Sequence, residues 1–101
     1  MHQDITAKEV KQRLDNGEKL FIIDVREPYE YEEYNIGGKL IPLGELQTQI
    51  DDLLENHKDE EIIIHCRSGA RSTAARNFMI QNGFNNIRNM VGGIMAYQVL
   101  E

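Results

Sequence analysis

The chain has a single cysteine, Cys66, and that scarcity sets the first limits. One thiol forms no intrachain disulfide and supplies no multi-cysteine metal site. A reducing, cytoplasmic compartment is the simplest expectation. Long apolar runs are missing as well. None approaches the ~20 residues that cross a bilayer, so no membrane partner is expected. The opening Met1-His2-Gln3-Asp4 lacks a basic region followed by an apolar stretch, so no secretory signal is expected. His2 and His57 stand in polar surroundings, and nothing in the pattern calls for a metal or a cofactor.

Acid is missing from one long segment. Between Ile62 and Leu100 there is no Asp or Glu, while Arg67, Arg71, Arg76 and Arg88 fall inside it. The whole chain nevertheless carries a net charge of −6, which argues against non-specific nucleic-acid binding. Two readings fit the acid-free segment. It is a buried strand and helix with no need of acid, or it is a locally positive site for a small anion. With 101 residues, 41% of them hydrophobic and 28% charged, the composition suits one globular domain over residues 1–101 with a modest core.

Periodicity predicts alternating helices and strands. Thr6 caps a first helix with Glu9 as its capping-box partner. Ala7, Val10 and Leu14 form its apolar stripe, and Asn16-Gly17 end it. Leu20 to Val25 reads as a strand buried on both faces. Glu27-Pro28 opens a short acidic helix to about Tyr34, Leu40-Ile41 is a minimal strand, and Leu46, Ile50, Leu53 and Leu54 lie at helical spacing. A polar connection over residues 56–61 leads to a strand from Glu61 to Cys66. A helix from Ala70 to Gln81 carries Ala70, Ala74 and Phe78 on one stripe, with Ala75 and Met79 beside it. A strand from Asn86 to Met90, a Gly92-Gly93 turn and a helix from Ile94 to Leu100 complete the chain. Helices between short apolar strands predict an α/β fold, a parallel sheet covered on both faces.

Ligands of such sheets bind at the carboxyl ends of the strands, where Cys66, Asp24 and Arg26 converge. Cys66 ends a β-branched run and faces a loop with Gly69, Arg67 and Arg71 before a helix. Loop amides, the helix N-terminus and the arginines all favour a thiolate, which is the nucleophilic form. The plain alternative is a buried structural cysteine, but such a cysteine needs no flanking cations. Asp24 and Arg26 read as an ion pair that braces the loop, ahead of substrate contact. His65 alternates away from Cys66 along the strand and is a poor general base. Glu30, Glu32 and Glu33 read as a solvated helix face, and Tyr29, Tyr31 and Tyr34 as half-buried packing in preference to a cleft lining.

Cys66-Arg67-Ser68-Gly69-Ala70-Arg71-Ser72 resembles the active-site loop of single-domain rhodaneses, the thiosulfate-type sulfurtransferases. Asp24-Val25-Arg26-Glu27 with Glu30-Tyr31, Ile36-Gly37-Gly38, Ile41-Pro42-Leu43, Gly83-Phe84 and Val91-Gly92-Gly93-Ile94 resemble the family's other signatures. Asn35 stands where the family usually has histidine, and Tyr97 where it usually has tryptophan. The resemblance implies a rhodanese-like five-stranded parallel sheet between helices and a catalytic Cys66 that forms a persulfide. It implies that the loop from Arg67 through Ser68, Gly69, Ala70 and Arg71 to Ser72 binds the substrate. The expected partners are a small anionic sulfur donor, drawn in by Arg67 and Arg71, and an external thiol or sulfur-acceptor protein, because no second cysteine can resolve the persulfide. A cysteine phosphatase or arsenate reductase is the competing enzyme. That pattern needs arginine after five intervening residues, where this chain has Ser72, and Arg71 comes one position early. A non-catalytic docking or regulatory module is the third reading, though such modules usually lack the loop cysteine.

Overall fold

The run Ile62-Ile63-Ile64-His65 lies at the centre of the molecule, and all four side chains are fully buried. A continuous β-branched run of this kind suits a strand covered on both faces. In the computed structural model, which describes residues 2–101, this is β4 (Ile62–His65) of a five-stranded parallel sheet. The other strands are β1 (Ile5–Thr6), β2 (Phe21–Asp24), β3 (Lys39–Leu40) and β5 (Ile87–Val91). Their spatial order is β1-β5-β4-β2-β3, and every pair is parallel. The helices are α1 (Ala7–Asp15), α2 (Pro28–Glu33), α3 (Leu46–His57), α4 (Ala70–Gln81) and α5 (Gly93–Val99), with a 3₁₀ turn over Leu43–Glu45. Among the described residues, no helix is long and apolar enough to cross a membrane.

Strand alternation divides the core in two. Ile23, Ile62, Ile64 and Ile87 pack towards α3 and α4, with Leu46, Ile50, Leu53, Ala75 and Met79. Ile22, Ile63 and Met90 face the opposite way, against Val10 of α1 and Tyr97 of α5. Each fully buried isoleucine contributes about 1.5–3 kcal/mol relative to exposure. Cys66 continues the side of Ile62 and Ile64, beneath α4. The β2–β4 register sets Phe21 beside Ile62 and Asp24 beside His65, so Asp24 reaches the end of the sheet where the cysteine lies.

Three local expectations need correction, and one short strand was not expected. β1 is only two residues long and has no periodicity for a sequence pattern to reveal. The Thr6 cap is half a capping box. Glu9 N–H donates to Thr6 Oγ1 at 3.1 Å, but the Glu9 carboxylate lies 3.9 Å from Arg88 instead of turning back. α3 runs on through Asn56 and His57, where a polar connection was expected, because the His57 ring packs edge-on against Phe21 at 4.6 Å. On α4 the buried positions are Ser72, Ala75 and Met79, whereas Ala70 and Ala74 are exposed. The helix is rotated from the expected stripe, and this brings Ser72 to the sulfur.

The turn into α5 fits against the cysteine loop without spare room. Gly93 has φ +58°, and a Cβ there would lie 2.5 Å from the carbonyl oxygens of both Cys66 and Arg67. Both the φ and the contact exclude a side chain. Gly93→Ala is expected to lower stability by about 2 kcal/mol or more, a fall in Tm of about 8 °C or more for a domain this size. Gly44→Ala, at a position with open space, should melt close to the parent. Thermal melting followed by circular dichroism checks both.

Candidate active site

The strand hands its last residue to a loop that curls around the sulfur. Cys66 is 1% exposed, and Gly69 N–H donates to its Sγ at 3.1 Å. Gly69 itself has φ +131°, which turns the chain into α4 and aims its amide inward. Ser72, in the first turn of α4, is fully buried with Oγ 3.4 Å from Sγ. The same hydroxyl lies 3.2 Å from the Gly69 carbonyl, which also accepts from the amide of Thr73 at 3.0 Å and its hydroxyl at 2.8 Å. A serine hydroxyl has one proton. Beside a neutral thiol it donates to Gly69, and beside a thiolate it is free to turn to sulfur.

The carbonyls of the loop point away from this bowl. Ile94 N–H donates to the Cys66 carbonyl and Met95 N–H to the Arg67 carbonyl, each at 3.0 Å. The first turn of α5 thereby satisfies both acceptors, and the amides are left to face the sulfur. Burial pushes the Cys66 thiol up. The Ser72 hydroxyl and the amides of Ser72, Gly69 and Ser68 outweigh it and hold the thiol below its ordinary value. Ser68 and Ala70 are exposed on the outside of the loop.

The two loop arginines have different situations. Arg71 is engaged by Glu30 through two charge-assisted hydrogen bonds, at 2.6 and 2.9 Å. Glu30 is therefore not part of a solvated face. The Arg71 guanidinium holds its carboxyl well below the usual range, at about 2. Glu30 also accepts from Glu27 N–H at 3.0 Å, so one acid caps α2 and anchors the loop. Arg67 is exposed and has no carboxylate partner among the described residues. It lines a groove of about 630 Å³ between α2 and α5. Tyr29 and Tyr34 line this groove, while Tyr31 instead donates its hydroxyl to the Gly38 carbonyl at 2.8 Å.

Asp24 and Arg26 form a buried ion pair, with Arg26 Nη2 2.7 Å from Asp24 Oδ2. Asp24 also accepts from Arg26 N–H at 3.0 Å, and Arg26 Nη2 donates to the Tyr34 carbonyl at 2.7 Å. The pair ties β2 to the end of α2 and makes no direct bond to the cysteine loop. Its approach to the loop runs through His65, whose Nε2 is 3.8 Å from Asp24 Oδ2 and whose Nδ1 is 3.3 Å from the Cys66 carbonyl. His65 is wholly buried, and burial holds its pKa below the ordinary value. It does not reach the sulfur side of the strand.

Glu30, Ile94 and Met95 have no place in the motif read from the loop. Glu30 is separated from Arg71 by 41 positions, and the α5 amides are backbone groups that no side-chain pattern marks. The nearest sequence signals are the acidic α2 beside an acid-free segment and the Gly92-Gly93 pair.

Comparison with known proteins fits this geometry. A Rhodanese-like domain model matches residues 6–100. A relative in Bacillus subtilis (strain 168), "Putative sulfur carrier protein YrkF", is 42% identical over 92 residues, 90% of this chain and 48% of that protein. A tRNA uridine(34) hydroxylase of Photorhabdus laumondii is 34% identical over 97 residues, 92% of this chain and 27% of that protein. The chain thus spans about half or less of these relatives' length. Among solved structures, a Rhodanese-like Domain Protein from Staphylococcus aureus superposes with a TM-score of 0.77 at 33% identity, covering 96% of this chain and 91% of that one. By family model, sequence and fold, with a buried cysteine at the end of β4 and its loop closed by α5, the chain belongs to the rhodanese-like domain family.

Proposed function

We propose that this domain is a sulfurtransferase. Cys66 takes a sulfane sulfur from thiosulfate or a persulfide donor and passes it to an external thiophilic acceptor. The observation that carries the reading is the sulfur bowl, with Sγ held by the Gly69 amide at 3.1 Å and the Ser72 hydroxyl at 3.4 Å. Such donors stabilise an anionic sulfur without supplying any reactive group of their own.

In the first step the Cys66 thiolate attacks the outer sulfur of thiosulfate. A bond forms from Sγ to that sulfur, the S–S bond of thiosulfate breaks, and sulfite leaves with the electron pair. The terminal sulfur of the persulfide then sits among the loop amides. In the second step an acceptor nucleophile attacks that terminal sulfur, and Sγ leaves as thiolate. This is covalent catalysis by two displacements, the first leaving an anionic persulfide and the second returning the Cys66 thiolate, both of them sulfur anions that the bowl stabilises. The chain has no second cysteine, so the acceptor comes from outside it. The phosphatase alternative is less well supported. Ser72, in the position of the phosphatase arginine, touches the sulfur, and Arg71 is occupied by Glu30.

Mass spectrometry after thiosulfate treatment tests the reading. The parent chain should gain one sulfur atom on Cys66, and Cys66→Ser should gain none and form no thiocyanate from cyanide. Absence of the adduct with turnover of para-nitrophenyl phosphate would sink it. The lowered thiol sets a second expectation. Alkylation by iodoacetamide consumes the thiolate, so its rate rises with pH through the folded-state value, at a midpoint below the ~8.5 of an ordinary cysteine. Ser72→Ala removes a donor to the thiolate, so its midpoint should move up towards that value. The arginines separate in kinetics and stability. Arg67→Ala should raise the KM for thiosulfate about threefold with kcat little changed, as expected for one exposed charge. Arg71→Ala should lower stability by about 1 kcal/mol through the loss of Glu30's partner, read as a fall in Tm.

A further inference from the structure

The groove between α2 and α5 is far larger than the sulfur chemistry requires. Thiosulfate has five heavy atoms, whereas the groove encloses about 630 Å³ and has Arg67, one residue past the cysteine, in its lining. Its walls are mixed, with Arg26, Glu30, Glu33, Arg67 and Gln98 set among the apolar side chains. Of the five large hydrophobic side chains exposed among the described residues, Tyr29, Met95 and Val99 line this one feature, at 70%, 51% and 85% exposure. Apolar exposure gathered in one place marks a contact surface.

The charge around it is one-sided. Glu27, Glu32 and Glu33 of the α2 segment are exposed and have no cationic partner among the described residues. Glu33 is part of the groove wall. The cations nearby are spent, Arg71 on Glu30 and Arg26 on Asp24. Of the groove's two lining cations, Arg26 and Arg67, only Arg67 has no carboxylate partner among the described residues, and it directly follows Cys66 in the chain. An occupant therefore needs a thiol beside Arg67, apolar side chains over Met95 and Val99, and positive charge against α2. A small anionic thiol meets the first requirement alone. A polypeptide segment with apolar and basic residues around a cysteine meets all three.

We propose that the α2–α5 groove docks a basic, apolar-flanked cysteine segment of a partner protein, and that this cysteine receives the sulfur. The proposal rests on the sulfurtransferase reading for the transfer step. There the partner's thiolate attacks the terminal sulfur of the Cys66 persulfide, the bond to Sγ breaks, and the electron pair returns to Cys66 as thiolate. The partner leaves as a persulfide. Acidic α2 supplies steering and the apolar rib supplies register.

Two measurements on the full chain decide it. The first is independent of sulfur transfer. A ¹⁵N-labelled chain is titrated with the end-blocked peptide Lys-Leu-Ser-Leu-Lys, in which serine replaces the cysteine. Saturable shifts are expected at Tyr29, Glu33, Met95 and Val99, with none from the Glu-Leu-Ser-Leu-Glu counterpart. No shift at these positions, or equal shifts with the acidic peptide, overturns the proposal even if Cys66 transfers sulfur normally. The second starts from Cys66 loaded with sulfur and follows its discharge. Lys-Leu-Cys-Leu-Lys should discharge it about tenfold faster than Glu-Leu-Cys-Leu-Glu or glutathione, and the preference should shrink as salt is raised. In Val99→Lys the ratio of basic-peptide to cyanide discharge should fall about tenfold. Equal rates for glutathione and the basic peptide would assign the groove to small thiols and refute the protein segment. If Cys66 does not load at all, the sulfurtransferase reading fails, and the titration alone still decides whether the groove binds basic peptides.

Discussion

The site depends on where two carbonyl groups point. A loop that wraps its amides around a sulfur must send its carbonyls elsewhere, and each buried carbonyl needs a donor. Here the donors are the amides of Ile94 and Met95, and they reach the loop because Gly93 has no Cβ. A chain segment near the C-terminal end of the sequence thus sets the polarity of a bowl formed by residues 66–72. The sheet makes that meeting possible. β4 and β5 are hydrogen-bonded neighbours, so the loops that leave their carboxyl ends emerge side by side.

A second constraint is the use of opposite charges as fasteners. Glu30 fixes Arg71, and Asp24 fixes Arg26, in both cases across different segments or across a turn. These pairs remove cations from the set available to a ligand. The acid-free segment therefore presents less positive potential than its four arginines suggest, and within the loop Arg67 is the arginine left without a carboxylate partner among the described residues. For the sulfur transfer proposed above, an arrangement of this kind would orient an anionic donor without holding it tightly.

Much of the architecture could be read from hydrophobic pattern because β4 is wholly buried and β2 nearly so. Ile62 to Ile64 and Phe21 to Val25 leave no polar alternation to confuse strand with loop, and Gly and Asn punctuate the helices. Cys66, Gly69 and Ser72 could be read because their chemistry is local to one loop. The Arg71–Glu30 pair could not, because nothing in a spacing of 41 residues distinguishes Glu30 from Glu32 or Glu33. The rotation of α4 was hidden by its composition. With Ala70 and Ala74 on one face of the helix and Ala75 on another, the apolar stripe alone does not fix the buried face, and Ser72 turns inward because the sulfur and the Gly69 carbonyl give its hydroxyl two partners. β1 and the α5 amides are backbone features without a side-chain signature.

The sheet's two outer strands, β1 and β3, are each two residues long, while the strands between them run to four or five. An exposed edge is a template for pairing with another chain, and its reach grows with its length. By tapering to two residues on each side, this sheet keeps its isoleucine-rich centre out of contact with any would-be neighbouring strand. The central strands are the segments whose composition would most readily form intermolecular β-structure, and the short borders are what shields them from self-association.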